Sequence, residues 1–183
     1  MLIAGVDPGL AHTGWALVSR DRDVVACGCI RTAKRRDEVG DEQRRLTEVT
    51  AALLLVIPRA TVVVIEWPSS GGFARGDDVG NVLSACQTGK VAALAFGLAA
   101  AHGRPTMLPA PVTWRSVLGS ERGRDEELHA NLLDRYRSAM PNVRPGDYPH
   151  VLDAIGLALY RLELADRAEE RASRQLALTT DEG

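Results

Sequence analysis

The chain has 183 residues, 45% hydrophobic and 25% charged, a length and balance that suit one compact domain with a real core. Its formal net charge of −2 gives no global argument for a nucleic-acid partner, since domains that bind one are usually basic overall. No run of ~18 apolar residues appears, and no basic-then-apolar leader with a small-residue cleavage site opens the sequence. Neither a spanning helix nor secretion is therefore expected, and the protein is expected in the cytoplasm, away from membranes. Cys27, Cys29 and Cys86 read as reduced core or near-core residues, too few for a zinc site. Of the 22 basic residues only Lys34 and Lys90 are lysines. Arginine's planar fork suits phosphate, and GC-rich codon usage explains the same bias equally well.

Residues 2–6 read as a buried strand, and 13–19 and 24–30 as the next two, joined by the short turn Arg20–Asp23. The three form a meander. A polar loop covers 31–41, and the cluster Lys34-Arg35-Arg36, followed by Asp37-Glu38, reads as solvated. Leu46, Val49, Leu53 and Val56 recur at helical spacing over 42–56, with Pro58 as the stop. TVVVIE (61–66) is an uninterrupted apolar run of the kind covered on both faces of a sheet. The Gly/Ser-rich loop WPSSGGFARGDD follows, then a long helix over about 78–101 with Gly103 and Pro105 as stop signals. A short last strand at 105–109, helical stretches near 111–118 and 124–139, and a final helix from Pro149 with Asp147 as cap complete the chain. Residues 1–166 are expected as one α/β domain and 167–183 as a frayed helix and polar tail.

The chemistry begins with two strands that end in carboxylates. The first strand closes on Asp7 in GVDPG, and the fourth on Glu66. A helical crossover between them makes them parallel neighbours, so both carboxylates stand at the carboxyl edge of the sheet, where α/β proteins place ligands. Two close carboxylates repel unless a proton or cation lies between them, and oxygen donors select Mg2+ or Mn2+. In PHVLDAIGLALY (149–160), His150 and Asp153 are three apart and share a helix face, while Val151, Leu152, Ile155 and Leu159 are apolar. Asp7, Glu66, His150 and Asp153 together suit two divalent ions and phosphodiester hydrolysis. Singly, each has a plainer reading: Asp7 as the first residue of a D-P-G turn, Glu66 as a strand-end charge, and Asp153 as a favourable charge near a helix N-terminus. The other histidines read as bystanders, with His12 and His129 at the surface and His102 at a helix end.

GVDPGLAHTGWALV, VVVIE and HVLDAIGLA, at these separations, resemble the RuvC family of Holliday-junction resolvases within the ribonuclease H-like superfamily, and the likeness spans residues 1 to about 165. The resemblance implies an α/β ribonuclease H-like fold, a five-stranded mixed sheet in the order 3-2-1-4-5 flanked by helices. It implies a Mg2+-dependent endodeoxyribonuclease with two ions per site, Mn2+ substituting, that resolves four-way junctions by symmetric paired nicks in DNA recombination and repair. The ligand positions carry over to Asp7, Glu66, His150 and Asp153. Many members have Asp where His150 stands, which leaves its role open between metal ligand and general base for the water. The family is dimeric, and the resemblance implies that the helix 78–101 makes the contact, its Ala85, Gly89, Ala92, Ala93, Ala99 and Ala100 allowing close approach. By the same resemblance Phe73 and Arg75 lie in the junction-facing loop, Phe73 stacking on an opened base. Arg115, Arg122 and Arg124 likewise lie in the basic segment that meets DNA phosphates. A branch-migration helicase is a candidate further partner. The Trp114 segment and the H-x-x-D form lean toward phage-type members.

Three other functions fit the sequence less well. A YqgF-type nuclease has a different second motif and a shorter chain. An actin-like phosphotransferase needs two such domains. A catalytically silent junction-binding protein predicts a missing carboxylate, and none is missing.

Overall fold

The computed structural model describes residues 1–35, 39–68, 79–120 and 125–180, the side chains of 79–81 and 177–180 aside. Five strands form one sheet: β1 (Leu2–Asp7), β2 (His12–Ser19), β3 (Val24–Arg31), β4 (Val62–Ile65) and β5 (Thr106–Met107). Their order is β3-β2-β1-β4-β5, as expected. β1 pairs antiparallel with β2 and β2 with β3, whereas β1–β4 and β4–β5 are parallel. Helices α1 (Asp41–Leu53) and α2 (Val79–Ala101) supply the crossovers, and α3 (Pro111–Val117), α4 (Asp125–Tyr136) and α5 (Tyr148–Thr180) follow the last strand.

Side chains alternate across a strand, and that alternation divides the core in two. Ile3, Ala16, Val18 and Val64 face α5, with α3 and α4 behind it. Ala4, Val6, Leu17, Val63 and Ile65 face α1 and α2. Helix α5 lies directly on the sheet because two glycines let it. A Cβ on Gly5 would stand 1.8 Å from the Ala154 carbonyl oxygen, and one on Gly14 would stand 2.0 Å from that of His150. Gly156 on α5 makes the same kind of room for the indole of Trp114, which is fully buried.

Several boundaries and placements differ from expectation. Helix α1 ends at Leu53, and Pro58 falls inside a separate 3-10 turn, Ile57–Arg59, where its fixed φ and missing N–H are tolerated at the first turn. Asp147 does not cap α5. It sits in the 3-10 turn Pro145–Asp147, and its carboxylate accepts from Arg31 Nε at 2.8 Å, a charge-assisted bond that outcompetes a cap. Cys86 is exposed on α2 and so is not a core residue. Contrary to expectation, Val82–Ala101 is long and apolar enough, by length and composition, to cross a membrane. Gln87, Thr88 and Lys90 interrupt it, and Val91, Ala92, Ala95 and Ala99 are buried against the sheet, the pattern of a core helix with one uncovered side.

Candidate active site

The register carries Asp7 and Glu66 to the same place. Val6 pairs with Ile65 across β1 and β4, and the Glu66 N–H donates to the Val6 carbonyl at 3.1 Å. Asp7 has the parity of Ile3 and Gly5, and Glu66 that of Val64, so both carboxylates leave the sheet on the α5 side. The close seat of α5 on Gly5 and Gly14 brings its first turns over that edge. The structure therefore brings together all four residues singled out in the sequence. They line one cleft of roughly 370 Å³, with the turn Pro8–His12 on one side and Ser84, Gln87 and Thr88 of α2 on another.

Each carboxylate is nearly buried and has a dedicated partner. His150 Nδ1 lies 2.8 Å from Asp7 Oδ2, with 13% of the Asp7 side chain exposed. Trp114 Nε1 donates to Glu66 Oε2 at 2.8 Å. Asp153 is held on both oxygens, by Arg115 Nη2 at 3.1 Å on Oδ2 and by His129 Nε2 at 2.8 Å on Oδ1. Arg115 also bonds Asp125 at 3.0 Å, comes within 3.9 Å of Glu66 Oε2 and stacks on Trp114 at 4.9 Å from the ring centroid.

Burial dominates the electrostatics. It raises the Asp7 carboxyl above its ordinary value, a rise opposed by the His150 hydrogen bond and reinforced by Asp153. Burial pushes Glu66 up to about 7, against the Trp114 bond and with the help of Asp7 and Asp153. The Asp7 hydrogen bond raises His150, and because an ionised carboxylate only accepts, Nδ1–H is the donor between them. Three mutually repelling, desolvated carboxyl groups and an imidazole form an oxygen-rich donor set of the kind hard divalent cations take. In the present rotamers no three such groups among the described residues converge on one point. Ligation would require Arg115, on Asp153 and near Glu66, to give way to an ion. By donor chemistry the set fits.

Three residues behave differently from the sequence reading. His12 is not a bystander in a turn: it opens β2 on the α5 side, and its ring stacks on His150 with centroids 5.3 Å apart and planes 5° from parallel. Its parity with Gly14 and Ala16 was the available signal. His129 is only partly exposed, and it is bonded to Asp153. Arg115 points inward to the carboxylates rather than outward as an open phosphate hook. Phe73, Arg75, Arg122 and Arg124 lie outside the described residues. Trp67, 41% exposed, directly follows Glu66.

No family model matches the chain. It is 30% identical over 166 residues to the crossover junction endodeoxyribonuclease RuvC of Chlorobium phaeovibrioides, across 87% of this chain and 79% of that one. Among solved structures, Thermus thermophilus RuvC in complex with a Holliday junction substrate superposes with a TM-score of 0.68 at 21% identity, over 92% of this chain and 96% of that one. Fowlpox virus resolvase with Holliday junction DNA gives 0.53 at 17% identity, over 90% and 99%.

Proposed function

The chain belongs to the RuvC family of crossover junction endodeoxyribonucleases, hydrolases that depend on divalent metal, and from that premise we propose that it resolves four-way DNA junctions by paired symmetric nicks, with Asp7, Glu66, His150 and Asp153 holding two Mg2+ ions. The observation that carries this reading is that three nearly buried carboxylates and a histidine line one cleft at the sheet edge. The chemistry such ions supply when bound is activation of the attacking water and stabilisation of the departing 3′ oxygen. The chain's own residues do the rest. Asp7 and Asp153 present oxygens from β1 and α5. Trp114 fixes Glu66 and favours its ionised form. His150, stacked on His12, holds its ring against Asp7, in reach of the cleft as ligand or as general base.

The chain acts as a homodimer through α2 in this proposal. The exposed residues Leu83, Cys86, Lys90, Ala93, Gly97 and Ala100 recur at intervals of three and four on its outer side, with Phe96 beside them and Lys90 bonded to Glu42. That seam suits close helix-to-helix packing. Ala92 and Ala99, expected in the same contact, pack on the sheet instead. The unpaired thiols of Cys27, Cys29 and Cys86 agree with action in the reducing cytoplasm.

The test is cleavage of a synthetic four-way junction in Mg2+. Wild type is expected to place symmetric paired nicks, and Asp7→Asn to bind the junction while cutting at least ~10³-fold more slowly. Failure to bind branched DNA at low salt, equal cutting of linear duplex, or binding without cutting by wild type would each sink the reading. For His150, retained activity in His150→Asp assigns it as a ligand. Loss of activity with metal still bound assigns it as the base.

A further inference from the structure

We propose that His129, on α4, is the residue that positions Asp153 for metal binding, an inference that rests on the reading of Asp153 as a ligand. Asp153 has two oxygens and two partners, and the partners are not equivalent. Arg115, on Oδ2, is shared with Asp125 and faces Glu66. It is a cation competing for the same carboxylates as an ion would, and its charge is spread over three of them. His129 meets Oδ1 from the other helix, at 2.8 Å.

A carboxylate oxygen can only accept, so Nε2 carries the proton and donates. That bond fixes the rotation of the carboxylate and leaves Oδ2 turned toward Arg115 and Glu66, the side on which the centre lies. Ligating carboxylates need such support, and its removal typically weakens metal binding or activity by 10–100-fold.

The packing of α4 makes His129 a rigid support. Leu128, Leu132 and Tyr136 recur at four-residue intervals and are buried in the core shared with α5. They fix the roll of α4, and His129, next to Leu128, is thereby aimed at the first turns of α5. Its own side chain is 23% exposed, so truncation leaves the core contacts in place. The role was invisible in DEELHANLLDRY, where a histidine among acidic residues reads as solvated.

The experiment is titration of Mn2+ into the full-length protein without DNA, followed by calorimetry or electron paramagnetic resonance. The proteins are wild type, His129→Ala, His129→Gln, Asp153→Asn and the double variant His129→Ala/Asp153→Asn. The expected result is ~10–100-fold weaker Mn2+ binding for His129→Ala, with recovery in His129→Gln, whose amide nitrogen reaches the place of Nε2. The alanine change should cost nothing further beside Asp153→Asn. Junction cleavage should slow in His129→Ala, with metal-free junction affinity and melting temperature near wild type. Wild-type Mn2+ affinity in His129→Ala, no recovery in His129→Gln, or additive loss in the double variant would overturn the inference. If Asp153→Asn itself leaves Mn2+ binding intact, the ligand reading of Asp153 fails, and the inference falls with it.

Discussion

The two faces of the sheet are built from alternate residues of the same strands, yet they end differently. Toward α1 and α2, Ala4, Val6, Leu17, Val63 and Ile65 meet Val49, Leu53, Val91, Ala95 and Ala99 in an apolar layer. Toward α5, the layer of Ile3, Ala16, Val18 and Val64 gives way at its edge to His12, Asp7 and Glu66, with His150 and Asp153 descending on them from the helix. The first face contributes stability, and the second contributes stability along most of its length and chemistry at one end. Alternation decides the assignment: a one-residue register slip would turn both strand carboxylates into the apolar α1/α2 layer, where nothing would pair them.

The sharpest attempt to break that division compares one substitution on each face. Gly14→Ala puts a Cβ 2.0 Å from the His150 carbonyl oxygen, backbone against backbone, so α5 must shift. We expect a loss of about 3 kcal/mol in urea unfolding and loss of cleavage by the folded fraction. Leu53→Ala on the other face should cost a similar 2–5 kcal/mol, about what a buried leucine loses, while its folded fraction cleaves at the wild-type rate. Equal loss of specific activity in both would show that the faces are not separable.

A milder change sharpens the comparison within the α5 face. Trp114→Phe keeps a ring in the pocket over Gly156 and removes the Nε1–H bond to Glu66, together with part of a fully buried indole on which Arg115 stacks. That bond opposes the burial that already lifts Glu66 to about 7. Without it the carboxyl rises further, and less of it is ionised at neutral pH. Cleavage at pH 7 should fall about tenfold, the worth of one hydrogen bond to a charged group. It should recover as pH is raised toward 9, read as an alkaline shift of the pH–rate profile. A uniform loss across pH would contradict the assignment.

The smallest effect concerns the thiols. Burial pushes Cys27 up to about 11 and Cys29 up to about 12, so both stay protonated and slow to alkylate at pH 8. Cys86 lies on the exposed stripe of α2. Iodoacetamide followed by mass spectrometry should find Cys86 modified first in dilute protein and protected as concentration rises. Unchanged labelling of Cys86 across concentration would count against the α2 dimer.

Strand-ending carboxylates and a helical i, i+3 pair were legible because both are local patterns set by periods of two and 3.6. The adjacency of β1 and β4 followed from two apolar runs joined by a crossover, and the full sheet order from the family resemblance. What escaped was everything set by docking between distant elements. The inward turn of Arg115 depends on where α3 meets α5, and the His129–Asp153 bond on the roll of α4. The exposure of Cys86 depends on which side of an apolar helix meets the sheet, and α2 is apolar nearly all round. His12 lies between these cases: its strand parity was readable, but its stacking on His150 required the close seat of α5 on Gly14.

Whether Asp7, Glu66, His150 and Asp153 form one metal centre can be read from anomalous diffraction by crystals soaked in Mn2+. Manganese peaks are expected within ligand distance of Asp7 and at least two of the other three side chains, with Arg115 displaced from Asp153. Peaks only elsewhere on the protein, in crystals whose dissolved contents still cleave junctions in Mn2+, would contradict such a centre.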